Sequence, residues 1–386
     1  LGCVYAGATV GAWYPITPST SLMDSFKSFG DRFRKDPVTG ELRYLLIQAE
    51  DELAAMGMVV GAGWAGARAF TATSGPGLSL MSEFLGYAYF AEIPVVLFDV
   101  QRTGPSTGMP TRTQQSDITA AAYASHGDTR HVLLFPANPK ECFELAVSAF
   151  DLSEGLQTPV IVMSDLDIGM NDWMVPKLEW DDRYVADRGK MLSREELENI
   201  DVFRRYDDVH GDAVPLRSAP GVHPKGAYFT RGSGHTKSAT YTEDAAEYKA
   251  LVDRLTRKWY TAAKRVPVAL MQPSSKRTMT GVIAVGSSDD AVREALAELA
   301  TQGLYLDYCR PLAFPFGDEV EAFLAAHEQI FVVDQNRDAQ LRSLLVNETA
   351  CAKEKLISVR HYDGMPLSAG VLTDAVRDHS QKSVAA

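Results

Sequence analysis

Three polar stretches carry side chains able to hold and transform a small organic acid. The first is Tyr14-Pro15-Ile16-Thr17-Pro18-Ser19-Thr20-Ser21, a row of hydroxyls on a loop stiffened by two prolines. Either X-Pro peptide here can be cis, since proline narrows the preference for trans, and Ser19 or Thr20 is placed to cap a helix starting near Ser21. A rigid turn with a cap explains the stretch as well as a binding loop does. The second is Gln48-Ala49-Glu50-Asp51-Glu52, with Glu50 just past an apolar run. A carboxylate there either answers the dipole of the following helix or reaches into a cleft to bond a heterocycle nitrogen. The third runs from Asp99 to Asp117 and holds Arg102, Arg112 and six hydroxyl side chains, Thr111 among them. An arginine fork with hydroxyls beside it is a receptor for a small carboxylate. A shorter turn, Thr73-Ser74-Gly75-Pro76-Gly77, either cradles an anion at a helix N-terminus or simply closes a tight bend.

These stretches need strands behind them. Apolar runs at Tyr44–Gln48, Ala69–Thr73, Val95–Val100, His131–Phe135 and Pro159–Met163 read as strands. Helical spacing at Asp51–Val60, Leu78–Ala91, Asp117–Ala124 and Lys140–Leu152 falls between them. Continuous apolar strands alternating with helices mark a doubly wound α/β domain, with ligands gathered at the strand carboxyl ends. We place this domain at residues 1–170. Residues 171–267 are polar and read as an irregular connection with one long helix at Glu243–Ala263. Residues 268–386 resume the pattern with strands at Gly281–Val285, Ile330–Val333 and Leu356–Val359, helices at Ala291–Thr301 and Ala339–Leu345, and a frayed tail from Ser380. That makes a second, smaller α/β domain.

The 386 residues carry a net charge of −12. An acidic surface repels phosphate backbones and anionic lipid, so neither nucleic acid nor membrane is an expected partner. No apolar run reaches the roughly 20 residues of a spanning helix. The four cysteines are scattered without a CxxC, which fits a reducing cytoplasm and no metal cluster held by this chain alone. Gly61-Ala62-Gly63-Trp64-Ala65-Gly66 matches the dinucleotide fingerprint G-x-G-x-x-G. That fingerprint needs a helix starting at the glycines, yet the strand at Ala69 follows within three residues, so a nicotinamide site is disfavoured. His126, His210, His223 and His235 lack ligand spacing and are expected at the surface or an interface.

Y-P-I-T-P-S-T-S, Q-A-E-D-E-x-A-A-M-G-M, T-A-T-S-G-P-G-x-S-L-M and R-T-G-P-S-T-G-M-P-T occur in that order. Together with Gly232-Ser233-Gly234-His235, Arg310-Pro311-Leu312 and Asp334-Gln335-Asn336, they make the chain resemble the α subunit of 2-oxoacid:ferredoxin oxidoreductases, closest to the 2-oxoglutarate type. The resemblance implies a thiamine diphosphate enzyme, its first domain transketolase-like and pyrimidine-binding, its last like the transketolase C-terminal domain. Glu50 then matches the glutamate that bonds the aminopyrimidine, with Pro15, Ile16 and Ser74 around the cofactor. Arg102 matches the arginine that binds the substrate carboxylate, with Thr17 and Thr111 sharing the task and Arg112 offered to a second carboxylate. The diphosphate half of such sites carries G-D-G, which this sequence lacks. Mg²⁺, the [4Fe–4S] cluster and the diphosphate are therefore expected in a β subunit, in an (αβ)₂ assembly with ferredoxin as acceptor and coenzyme A as co-substrate. A chain opening at Leu1, inside the first motif block, suggests an upstream γ domain, fused or separate.

The expected reaction is oxidative decarboxylation of 2-oxoglutarate to succinyl-CoA and CO₂, or its reverse. A pyruvate or branched-chain 2-oxoacid enzyme of the same family is the nearest alternative. A non-catalytic scaffold subunit is the alternative of another class.

Overall fold

The computed structural model describes residues 1–385; Ala386 lies outside the described residues. The first part of the chain runs α1 (Gly2–Tyr5), β1 (Val10–Trp13), α2 (Thr20–Phe33), β2 (Leu45–Gln48), α3 (Glu52–Trp64), β3 (Ala69–Thr73), α4 (Gly75–Phe90), β4 (Val95–Gln101), α5 (Ile118–Ala122), β5 (Val132–Leu134), α6 (Pro139–Leu156), β6 (Pro159–Asp165) and α7 (Leu166–Met170). Then come α8 (Arg194–Asn199) and α9 (Ala245–Ala263). The last part runs β7 (Leu270–Gln272), β8 (Thr280–Ile283), α10 (Asp289–Thr301), β9 (Asp307–Arg310), β10 (Ala313–Phe314), α11 (Asp318–Ala326), β11 (Gln329–Asp334), α12 (Gln340–Glu348), β12 (Leu356–Arg360) and α13 (Ala369–Ala385).

The first sheet has the order β10-β5-β6-β4-β3-β1-β2 and the second β12-β11-β8-β9-β7. Six strands of the first sheet are parallel, and β10 reaches back from the later part of the chain to pair antiparallel with β5. β3 and β4 are buried along their whole length, which is why they read as unbroken apolar runs. The fold is α/β, as the sequence alternation requires.

Local chemistry explains the placements. Pro139 opens α6 and the Asn138 side chain accepts from Glu141 N at 3.0 Å. Asp51 caps α3, accepting from Ala54 N at 2.6 Å. Gly61 and Gly63 lie inside α3, and a Cβ on Gly63 would meet the Pro94 carbonyl oxygen at 2.4 Å. Gly63 therefore seats the helix against the strand entry, Gly61 faces open space, and no helix starts at either. The tail expected from Ser380 is helical to Ala385, because α13 packs on α10 and closes the second core. His235 is buried, not at the surface: its ring lies 4.0 Å from that of Tyr206 and its Nδ1 faces the Ser233 carbonyl at 2.9 Å.

Candidate active site

The four polar stretches follow β1, β2, β3 and β4, neighbours in one parallel sheet, so all four lie along the same carboxyl rim. β1 has β2 on one side and β3 on the other, so the winding reverses there. Such a switch point opens a crevice at the strand ends. Glu50 and Arg102 follow strands three steps apart, which puts their backbones about 14 Å from each other along the rim.

Arg102 is the best-held charge on the rim. It is 6% exposed. Its Nη1 donates to the Thr17 carbonyl at 2.7 Å and its Nη2 to the Thr107 carbonyl at 3.3 Å. Its Nε is buried with no partner. An arginine N–H in that state is costly unless an anion completes it. Thr17 thus serves Arg102 through its backbone, while its side chain is exposed.

The Tyr14–Ser21 loop is rigid. The Thr17–Pro18 peptide is cis. Ser19 stands at the N-cap of α2 but does not cap it; its backbone is already helical and its hydroxyl donates back to Ile16 O at 3.1 Å. Pro15 is exposed and Ile16 half-buried above the rim.

Glu50 is exposed, and within the described residues its carboxylate takes no hydrogen bond or ion pair. The dipole of α3 is answered by its neighbour Asp51, the capping residue. Glu50 is therefore not needed to cap the helix it precedes. Ser74 is buried at the N-cap of α4, and its hydroxyl caps nothing and has no partner.

Beside Arg102 lies a cleft of about 470 Å³, lined by Gly75, Ser79 and Asp117 from the first sheet and by Asn336, Arg337 and Tyr362 from the second. Thr111 and Arg112 are exposed and do not line it. Arg112 instead packs its Cβ against the loop at Gly364, where a glycine Cβ would sit 3.0 Å away. The structure thus brings Arg102 and the Thr17 backbone together and leaves Arg112 outside. A larger cavity of about 820 Å³ lies elsewhere, between α4 and α9, and holds none of the candidate residues.

Residues to which the sequence assigns no individual role join the two sheets behind the cleft. Gln115 donates to Asp165 at 2.9 Å, Ser287 donates to the same carboxylate at 2.5 Å, and Gln335 donates to Ser287 at 3.1 Å. Asn336 donates to the Gln115 carbonyl at 2.9 Å. Burial pushes the Asp165 carboxyl up, and the two donors oppose the shift. The motif Asp334-Gln335-Asn336 is therefore the lock between the two sheets. Arg310, from another motif, is buried in an ion pair with Glu141. Asp99 and Asp117 also escaped notice. Asp117 is half-buried and lines the cleft, Asp99 is wholly buried, and neither Asp99 oxygen has a donor among the described residues.

Comparisons with known proteins follow this geometry. Residues 1–207 match the family described as pyruvate flavodoxin/ferredoxin oxidoreductase, thiamine diphosphate-binding. A 2-oxoglutarate synthase subunit KorA from Methanothermobacter thermautotrophicus is 33% identical over 345 residues, covering 87% of this chain and 85% of that protein. The α subunit of 2-oxoacid:ferredoxin oxidoreductase 1 from Sulfurisphaera tokodaii is 31% identical over 384 residues, and this chain spans 59% of its length. A solved 2-oxoglutarate:ferredoxin oxidoreductase from Magnetococcus marinus, with 2-oxoglutarate, coenzyme A and succinyl-CoA bound, superposes with a TM-score of 0.89 at 29% identity, over 98% of this chain and 63% of that one. No helix among the described residues is long and apolar enough to cross a membrane.

Proposed function

The chain belongs to the pyruvate flavodoxin/ferredoxin oxidoreductase family, and on that premise we propose that it is the α subunit of a 2-oxoacid:ferredoxin oxidoreductase acting on 2-oxoglutarate. The observation that carries this reading is Arg102: a nearly buried guanidinium, aimed by two backbone carbonyls, with its buried Nε–H left for an anion. It receives the C1 carboxylate of the 2-oxoacid.

Glu50 and the Ser74 hydroxyl are two further rim groups without partners among the described residues, and they suit the ring nitrogens of a bound pyrimidine. Thiamine diphosphate, when bound, supplies the carbanion chemistry that releases CO₂. Glu50 holds a proton between its carboxylate and the aminopyrimidine, and so fixes which ring nitrogen is basic. Pro15, Ile16 and the Thr17–Pro18 turn wall the ring. Thr111 and Arg112, exposed on the same loop, would meet the substrate only if the partner subunit brings it to them.

The diphosphate, Mg²⁺ and the [4Fe–4S] cluster are assigned to the β subunit, which completes the site and passes electrons to ferredoxin. Its seat is beside Glu50. Glu52 is the only charged residue in α3, a helix apolar on all sides, yet Leu53 and Met58 stand exposed, as does Leu80 on α4. A helix apolar all round belongs inside a larger structure.

The test is anaerobic viologen reduction by the natively assembled complex, with a panel of 2-oxoacids, each with and without coenzyme A. Coenzyme-A-dependent reduction with 2-oxoglutarate alone is expected. Activity on another 2-oxoacid corrects the substrate. No activity in a complex shown to hold cofactor and cluster overturns the reading in favour of a scaffold subunit. Glu50→Gln is expected to lower kcat by about 10²–10⁴-fold in an assembled complex.

A further inference from the structure

Arg102 does not face the cleft alone. Asp99, near the carboxyl end of β4, is wholly buried, and Asp117, the residue before α5, is half-buried with its Oδ2 enclosed; the two carboxyls act on each other's ionisation. Two like charges in one such pocket do not readily ionise together. Among the described residues no donor reaches either oxygen of Asp99 or Oδ2 of Asp117. The pocket for the pair is tight: a Cβ on Gly75 would lie 2.8 and 2.9 Å from the two Asp117 oxygens. Asp117 is also fixed from both sheets. Its amide donates to the Gln101 side chain at 3.1 Å, and Gln340 of α12 donates to the carbonyl of Ser116 at 2.6 Å. Asp117 and Arg102 line the same cleft.

We propose that Asp117, backed by Asp99, is a protonation-controlled counter-charge to Arg102 that sets how tightly the cleft holds a carboxylate. The inference rests on the reading of Arg102 as the substrate-carboxylate receptor. With one proton on the pair, Asp117 presents a negative charge that competes with the substrate for the guanidinium. With both carboxyls protonated, the guanidinium is free to bind the substrate at full strength. Burial pushes both carboxyls up, Asp117 to about 6, while Arg102 and Asp99 hold Asp117 down. The other charged or titratable groups packed near Asp117 are Arg337, Asp338 and Tyr362 across the cleft and Glu52 of α3 behind Gly77. Arg337 and Asp338 pair with each other at 2.7 Å.

The sign follows. As pH falls through about 6, the pair gains its second proton and the substrate KM falls. One unit charge several ångströms away at a partly buried site changes affinity by about tenfold. By linkage, a bound carboxylate makes the pair easier to protonate.

The experiment uses the assembled complex and reads the KM for 2-oxoglutarate between about pH 5 and pH 8, with kcat read alongside. The wild type is expected to show a KM step of about tenfold near pH 6 with little change in kcat. Asp117→Asn should hold the low KM at every pH. Asp99→Asn, whose amide donates to Asp117 and favours its anion, should move the step to lower pH. A KM raised equally at all pH values in both variants would mean a merely structural role and overturn the proposal. So would a step that survives unchanged in Asp117→Asn. Calorimetric binding of oxalate, at pH values on either side of the step, repeats the test without turnover. If no 2-oxoacid is turned over but oxalate binding shows the step, the substrate reading fails and the counter-charge stands. If oxalate binding is flat, the counter-charge fails.

Discussion

Glu92 offers a sharp test of what holds the polar middle of the chain to the first sheet. It sits at the corner between α4 and β4, wholly buried, with φ at 55°. Arg254 of α9 grips its carboxylate through both Nη atoms, and Lys258 donates to it at 2.8 Å. Arg205 donates to its carbonyl at 2.7 Å. Replacing Glu92 with Gln keeps the shape and removes the charge. Burial already draws the Lys258 ammonium down to about 8 with Glu92 present, so without it Lys258 sheds its proton. Arg254 cannot do so and is left as a charge with no counter-ion, held by the Ala213 carbonyl at 3.0 Å and the glutamine's neutral amide oxygen. Breaking a buried pair from one side costs about 3–5 kcal/mol. The assay is hydrogen exchange of α9 in the intact assembly. If α9 opens as a unit, its exchange should rise by roughly 10²–10⁴-fold. Glu92→Gln with Arg254→Met should recover most of the loss, because the stranded charge is gone. Exchange in α9 that stays within a few-fold of wild type would refute the clamp.

The remaining predictions probe the site and the core. Arg102→Met should raise the 2-oxoacid KM by about 10–100-fold, the worth of hydrogen bonds to a charged group, whereas Arg112→Met should leave substrate selectivity unchanged in steady-state assays. Gly63→Ala should lower the unfolding midpoint, because its Cβ meets the rigid Pro94 carbonyl, while Gly61→Ala, with nothing within 4 Å, should be neutral or stabilising by up to about 1 kcal/mol. His131 is buried with Nδ1 unpartnered, and burial pulls it down to about 4. The folded chain thus binds fewer protons than the unfolded one between about 6.5 and 4, so stability falls as pH drops through that window, by about 3 kcal/mol in all. Chemical denaturation across that range should show the loss, and His131→Gln should reduce it.

What the sequence displayed and what it hid follow one physical rule. β3 and β4 announce themselves because a parallel strand covered on both faces must be apolar throughout. β1 escaped because its middle is Gly11 and Ala12, small residues chosen by closeness: a Cβ on Gly11 would already be 3.1 Å from both Leu46 and Met23. β9 escaped because Asp307, Tyr308 and Arg310 look like surface residues, yet Tyr308 and Arg310 are buried against Asp289 and Glu141. β10 is two residues whose partner strand lies some 180 positions earlier, which no local pattern encodes. His235 was misplaced for a similar reason: its ring is sandwiched by Phe90 and Tyr206, which lie far from it in sequence.

At the site, the sequence shows which side chains are chemically able, and the fold decides which of them meet. Arg102 and Arg112 are alike on the page, ten residues apart in one loop. The turn that pairs Thr103 with Met109 folds the loop back on itself, so one guanidinium enters the cleft and the other leaves it. The same loop then continues through Gln115 into the lock formed with Asp165, Ser287, Gln335 and Asn336. Arg102 is therefore aimed by one end of a segment whose other end is fixed to the second sheet. That arrangement makes the position of the arginine depend on how the two sheets sit together. Weakening the lock with Asn336→Ala, a residue that does line the cleft but bonds away from it, should thus raise the substrate KM more than it lowers overall stability. If KM and stability moved in proportion, the lock would be structural cement with no say in the aim of Arg102.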